Sequence, residues 1–182
     1  MPNRQYNRRN LIGNSIKLIT GVALLAPTLS LARKLDVRDL SFYHTHTGKE
    51  LDVTYKIAGR YDPTALKKVN RHLQDFRTHE THPIDTKLLD ILYKIKTHAG
   101  GGVYEVISGY RSPKTNSMLR NKSNGVAKRS LHMKGMAIDV RLSGVKTKEL
   151  RDIARSMRGG GVGYYPQSDF IHLDTGKVRT WG

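Results

Sequence analysis

The chain has 182 residues, of which 37% are hydrophobic, and it carries a net charge of +17 with no cysteine. This mixture excludes a disordered polymer, a disulfide framework and any thiolate metal site. A metal in this protein must be held by His, Asp or Glu, and the charge favours acidic polymers as partners: nucleic acid, an anionic lipid surface or a carboxylate-rich wall polymer.

The first segment, "NRRNLIGNSIKLITGVALLAPTLSLA", reads as an export signal. Arg8 and Arg9 supply a charged start, residues 18–26 an apolar stretch, and Ser30-Leu31-Ala32 a small-x-small cleavage pattern. The paired arginines before a moderately apolar run resemble a twin-arginine signal. The alternatives are an ordinary secretory signal and an uncleaved anchor. The apolar run is much shorter than the ~20 residues of a membrane span. The expected organisation is therefore a leader over 1–32 and one domain over 33–182. The four basic residues of the leader leave +13 on that domain, scattered without a basic block. No helix-turn-helix or zinc-finger signature appears, so a nucleic-acid partner is not expected.

Alternating runs at 40–45 and 50–56 around Thr47-Gly48 predict a hairpin. His44 and His46 lie there, and without a flanking carboxylate motif they read as exposed polar positions beside the turn rather than ligands. Asp62-Pro63 opens a helix with the stripe Leu66, Val69, Leu73 and Phe76. Asp85 caps a second helix, "TKLLDILYKIKTH", which ends at three glycines. "VYEVIS" reads as a strand and "GYRSPKTNSMLRNKS" as a turn into a third helix. "GMAIDVRL" is a strand, and "KTKELRDIARSM" a helix. "GVGYY" and "DFIHLD" form a last hairpin around Pro166-Gln167-Ser168. Hairpins without regular βαβ alternation predict an α+β domain with a mainly antiparallel sheet.

The stretch "SLHMKGMAID" places His132 seven residues before Asp139, a carboxylate closing an apolar run. Burying that carboxylate is costly unless something pairs with it. A second histidine, His172, sits in the late apolar strand "DFIHLD". His132, Asp139 and His172 together suit catalytic zinc, with water at the fourth position, provided their strands are neighbours.

The segments "ISGYRS", "GVAKRSLHMKGMAIDV" and "GGVGYYPQSDFIHLDTGKVRTW" resemble the YcbK-like family of bacterial murein endopeptidases. These are zinc peptidases related to the D-Ala-D-Ala carboxypeptidases and to the metal site of hedgehog domains. The resemblance covers roughly residues 36–182. It implies an exported, periplasmic zinc metallopeptidase that cuts peptide cross-links of peptidoglycan, with Zn²⁺ on His132, Asp139 and His172. It implies that Arg111 grips a substrate carboxylate or carbonyl, the alternative being a surface arginine at a helix entry. Ser130 would bind substrate backbone or brace the metal loop, unless it is a plain turn cap. Relatives with an acid shortly before the last metal histidine make Asp169 the expected general base. Asp174 is its rival, or else a residue orienting a ligand. Stem peptides carry free carboxylates, which suits a basic enzyme. Tyr164 and Tyr165 are candidates for groove or core, and Trp181 for a packing anchor. The bond cut, D,D or L,D, stays open, and a zinc-containing wall-binding module without turnover is the alternative function.

Overall fold

The computed structural model describes residues 36–182 except Asn124; the expected leader lies outside the described residues. Eight strands form one sheet in the order β3-β2-β1-β4-β5-β7-β6-β8. In chain order they are β1 (Val37–His44), β2 (Glu50–Ile57), β3 (Arg60–Tyr61), β4 (Tyr104–Ser108), β5 (Ala137–Leu142), β6 (Gly161–Tyr165), β7 (Phe170–Asp174) and β8 (Arg179–Trp181). Only β1–β4 and β6–β8 pair in parallel; the other neighbours are antiparallel. The domain is α+β with a mainly antiparallel sheet, as the hairpin pattern predicts.

Among the described residues, four α-helices accompany it: α1 (Pro63–His72), α2 (Thr86–His98), α3 (Pro113–Lys122) and α4 (Thr147–Ser156). Their starts follow from local chemistry. Asp62, Asp85 and Ser112 each cap a helix, their side chains accepting from Thr64 N, Lys87 N and Thr115 N. α1 stops at Leu73, so Phe76 lies beyond the helix that its spacing had extended. There Phe76 stacks on His46 instead.

Alternation along the strands sorts the residues between two faces. Ile138, Val140, Leu142, Ile171 and Leu173 join one core with Leu88, Leu92 and Ile95 of α2 and Leu150 of α4. Each fully buried leucine there contributes roughly 1.5–3 kcal/mol. The opposite face of β5 and β7 carries Asp139, His172 and Asp174. The helical layer thus holds the sheet in register while leaving this polar face open. Among the described residues, no helix is long and apolar enough to cross a membrane.

Candidate metal centre

Asp139 and His172 are direct partners across the β5–β7 ladder, so both side chains rise from the same face. His132 arrives from a 3-10 turn, Leu131–Lys134, just before β5. Ser130 caps that turn, its Oγ accepting from His132 N at 3.3 Å. Gly135 ends it at φ +64°, a left-handed conformation, in a place where a Cβ would strike the Pro83 carbonyl. The local sequence Ser-Leu-His-Met-Lys-Gly therefore builds a tight loop that delivers one imidazole to the strand.

The three groups meet. His172 Nδ1 lies 2.9 Å from Asp139 Oδ1, His132 Nε2 lies 3.3 Å from the same oxygen, and the two ring nitrogens are 3.2 Å apart. His132 and Asp139 are buried, and only 13% of the His172 side chain is exposed. Their other contacts decide which atoms face inward. His132 Nδ1 is 2.8 Å from the Gly109 carbonyl, which can only accept, so Nδ1 carries the proton and Nε2 offers its lone pair. His172 Nε2 is 3.1 Å from Asp174 Oδ2 and donates to that carboxylate, turning Nδ1 inward.

This donor set fits zinc. Bonds of 2.0–2.1 Å in a tetrahedron put ligand atoms about 3.3 Å apart, close to the separations found here. Among the described residues, His132, Asp139 and His172 are the cluster able to hold an ion. Without a cation, burial works to raise the Asp139 pKa, but the adjoining His132 and His172 outweigh it and hold the carboxyl below its usual range. Burial likewise opposes charge on His172, yet its bonds to Asp139 and Asp174 push it up to about 9.

Asp174 is built as a support. Its side chain is fully buried and accepts from Arg179 at 2.6 Å, from Gly161 N at 3.1 Å and from Gly176 N at 2.8 Å. Burial would raise its pKa; the bonds from His172 and Arg179 hold it below the ordinary value instead. Arg111 lies beside the centre, its terminal nitrogen 3.5 Å from Asp139 Oδ2 and 3.4 Å from Ser108 Oγ. Its backbone N–H donates to the His132 carbonyl, tying the "SGYR" turn to the Leu131–Lys134 turn.

A cleft of about 460 Å³ opens over the cluster, lined by Arg111, Ser123, Gly125, Val126, Arg129 and Ser130. Tyr165, Phe170, Arg179 and Trp181 line it as well. Trp181 lies across Gly163, where any Cβ would meet the indole. Tyr165 lines this cleft, whereas Tyr164 packs on the core.

Asp169 does not join the site. It sits in the turn between β6 and β7 at φ +50°. Its carboxylate bonds to Thr147 Oγ1 and lies 3.3 Å from Arg141, in a separate shallow recess with Glu105. The Thr147 and Arg141 contacts, against slight burial, hold it below its ordinary pKa. The short turn does take Asp169 off the strand, as a base would need, but it turns the side chain past the end of β5 rather than over His172.

His44 also departs from expectation. It is buried, while His46 is exposed. Two further residues join the site without a motif to mark them: Arg179, which clamps Asp174, and Arg129 on the cleft rim. No local signal marks Arg179, because the β6–β8 pairing is what returns it beside Gly161 and Asp174.

A family model described as peptidoglycan L,D-endopeptidase MepK matches residues 32–181. A probable peptidoglycan L,D-endopeptidase MepK of Haemophilus influenzae is 43% identical over 164 residues, 88% of either chain. The peptidoglycan L,D-endopeptidase MepK of Escherichia coli K12 is 38% identical over 176 residues, covering 96% of this chain and 97% of its own. The match spans every element that builds the cleft, and the chain belongs to the MepK family of peptidoglycan endopeptidases.

Proposed function

We propose that this chain is an exported, zinc-dependent peptidoglycan endopeptidase that hydrolyses L,D rather than D,D cross-links. One observation carries the reading: three lone pairs, from His132 Nε2, Asp139 Oδ1 and His172 Nδ1, converge at the floor of an open cleft while each imidazole's other nitrogen is already committed. The L,D preference follows the L,D-endopeptidases to which the chain is similar.

His132, Asp139 and His172 would hold the zinc, and a zinc ion so bound polarises a carbonyl and acidifies a water. Asp174 keeps His172 in the tautomer that leaves Nδ1 available, and Arg179 keeps Asp174 ionised. Arg111 faces the non-coordinating oxygen of Asp139 and presents a permanent cation for a substrate carbonyl or carboxylate. Arg129, exposed on the rim, offers a second cation to the acidic stem peptides. Ser130 braces the metal loop through His132 N. Both carboxylates of the cleft are engaged, Asp139 toward the metal position and Asp174 toward Arg179. Neither of these carboxylates is therefore free to serve as the general base, and Asp169, held by Thr147 and Arg141, would take no part in proton transfer.

The test is digestion of purified sacculi, with the released muropeptides identified by mass. Loss of L,D-linked dimers, abolished by a chelator and restored by zinc, is the expected result. Selective loss of D,D-linked dimers would overturn the specificity. The engagement of both cleft carboxylates favours one competitor, a zinc-containing wall-binding module. It predicts retention on sacculi with no fragment released.

We also assign residues 1–32 to an export signal of the twin-arginine type and the mature protein to the periplasm, from Arg8-Arg9 and the modest apolar run. Replacing both arginines by lysine should hold the protein in the cytoplasm on fractionation; normal export would exclude that route.

A further inference from the structure

Tyr165 ends β6, directly opposite Phe170 of β7. Its ring stacks on Phe170, with centroids 4.7 Å apart and planes 22° apart. Its hydroxyl oxygen accepts Trp181 Nε1–H at 3.0 Å. Trp181 is itself fixed. It lies over Gly163, its ring is 5.2 Å from the His172 ring, and the Arg179 guanidinium lies 4.8 Å from its face. Arg179 in turn grips Asp174, which holds His172. A continuous set of contacts thus places the Tyr165 hydroxyl relative to a metal ligand.

A phenol has one proton to donate and two lone pairs. Trp181 uses a lone pair, and among the described residues the Tyr165 proton has no acceptor. The group lines the same cleft as Arg111 and the three ligands. Donation from Trp181 polarises the O–H bond and strengthens it as a donor. Arg111, the other strong donor beside the centre, turns one terminal nitrogen toward Asp139 and Ser108.

We infer that Tyr165 is a catalytic hydrogen-bond donor to the carbonyl oxygen of the scissile amide, and that Trp181 is its positioning residue. The donor acts where negative charge develops as the carbonyl becomes tetrahedral; no proton is transferred and no bond to Tyr165 forms or breaks. A neutral phenol suits this place, because it adds stabilisation without competing for Asp139 as another cation would. The inference rests on the endopeptidase reading above.

The experiment compares zinc-loaded wild type, Tyr165→Phe and Trp181→Phe. Metal content and melting temperature are recorded first, since Phe keeps the stack on Phe170. Three quantities follow: kcat and KM on an L,D-linked muropeptide dimer, the Kd of a phosphinate isostere of that bond, and the Kd of the monomeric product. Tyr165→Phe should lower kcat by about 10²-fold with little change in KM. It should weaken the phosphinate by a similar factor and leave product binding unchanged. Trp181→Phe, which retains the phenol but removes its orienting donor, should lose less in the same two quantities. It serves as the deciding variant if Tyr165→Phe fails to hold zinc. Wild-type kcat and phosphinate affinity in the informative variant would overturn the inference. So would equal weakening of phosphinate and product, which marks a ground-state contact. A wild type that neither cleaves the dimer nor binds the phosphinate overturns the endopeptidase reading, and this inference with it.

Discussion

Two pairs of neighbouring histidines in this domain meet opposite fates. His132 and His172 have ring centroids 5.0 Å apart, and His44 and His72 have theirs 6.1 Å apart. In the first pair each ring gives one nitrogen to an acceptor and turns the other toward Asp139. In the second pair His44 Nδ1 accepts from His46 N, and the Nε2 atoms of His44 and His72 have no protein partner among the described residues. Phe42 and Phe76 pack around that pair. Burial first, then the neighbouring His46 and Lys49, lowers the pKa of His44; burial, then His44 and Lys49, pushes that of His72 down to about 4. Ring proximity is therefore not what makes a metal centre. The carboxylate across the ladder, together with an acceptor behind each ring, gives the first pair the arrangement of a candidate metal centre.

The harshest way to break this comparison is His132→Ala. Two ligands cannot hold a catalytic ion tightly. Zinc content should fall from about one per chain to near zero, and muropeptide cleavage to background. Full zinc occupancy in this variant, read by elemental analysis, would remove the site. The support behind the ring is tested by Asp174→Asn. An amide keeps the shape but weakens the grip on His172 Nε2–H, and zinc affinity should drop by about 10–100-fold. Competition with a chromogenic chelator measures it, and an unchanged affinity would reduce Asp174 to a fold residue.

The other pair gives a pH effect of known sign. A histidine whose folded pKa is depressed is neutral in the native state, so its stabilising contribution is present above the unfolded value near 6.5. It is lost as pH falls from there toward about 4, because the unfolded chain takes up the proton first. His72→Phe, packed against Phe42 and His44, removes one of these groups. Between pH 7 and pH 5 the wild type should lose roughly 2–4 °C more in melting temperature than the variant. Parallel curves would mean that His72 is solvated enough to titrate normally.

How much of this was legible in the sequence follows from the range of each cue. Capping is local, so Asp62, Asp85 and the helix of residues 86–98 could be read directly. Strand alternation carries the polar face of β5 and β7, which is why Asp139 and His172 stand out, and the His-x6-Asp spacing adds His132 before their meeting is known. Register across strands is not local. Nothing in "DFIHLD" says that Arg179 returns beside Gly161 to clamp Asp174, or that Trp181 crosses Gly163. The burial of His44 was equally hidden. It depends on His72 and Phe76 arriving from α1 and the segment after it.

Asp169 shows the same limit from the other side, and it yields the smallest expected effect. Its distance of three residues from His172 suggests a base, but the turn at φ +50° sends the carboxylate to Thr147 and Arg141. Asn tolerates that left-handed conformation about as well as Asp. The side chain is 61% exposed, and an exposed ion pair contributes at most about 1 kcal/mol, so Asp169→Asn should barely move the melting temperature. With zinc loaded, its kcat/KM should stay within about threefold of wild type, since a dedicated general base would be worth ~10²–10⁴-fold. Arg141→Ala, which frees the same carboxylate without removing it, supplies the complementary case. If Asp169→Asn retains zinc and fold yet loses a hundredfold or more in turnover, the β6–β7 turn must swing its carboxylate into the cleft during reaction. Arg141→Ala should then retain turnover or raise it, because it releases that swing. If both variants run at the wild-type rate, the recess belongs to the wall of the domain, and the chemistry is confined to the face shared by Asp139, His172 and Tyr165.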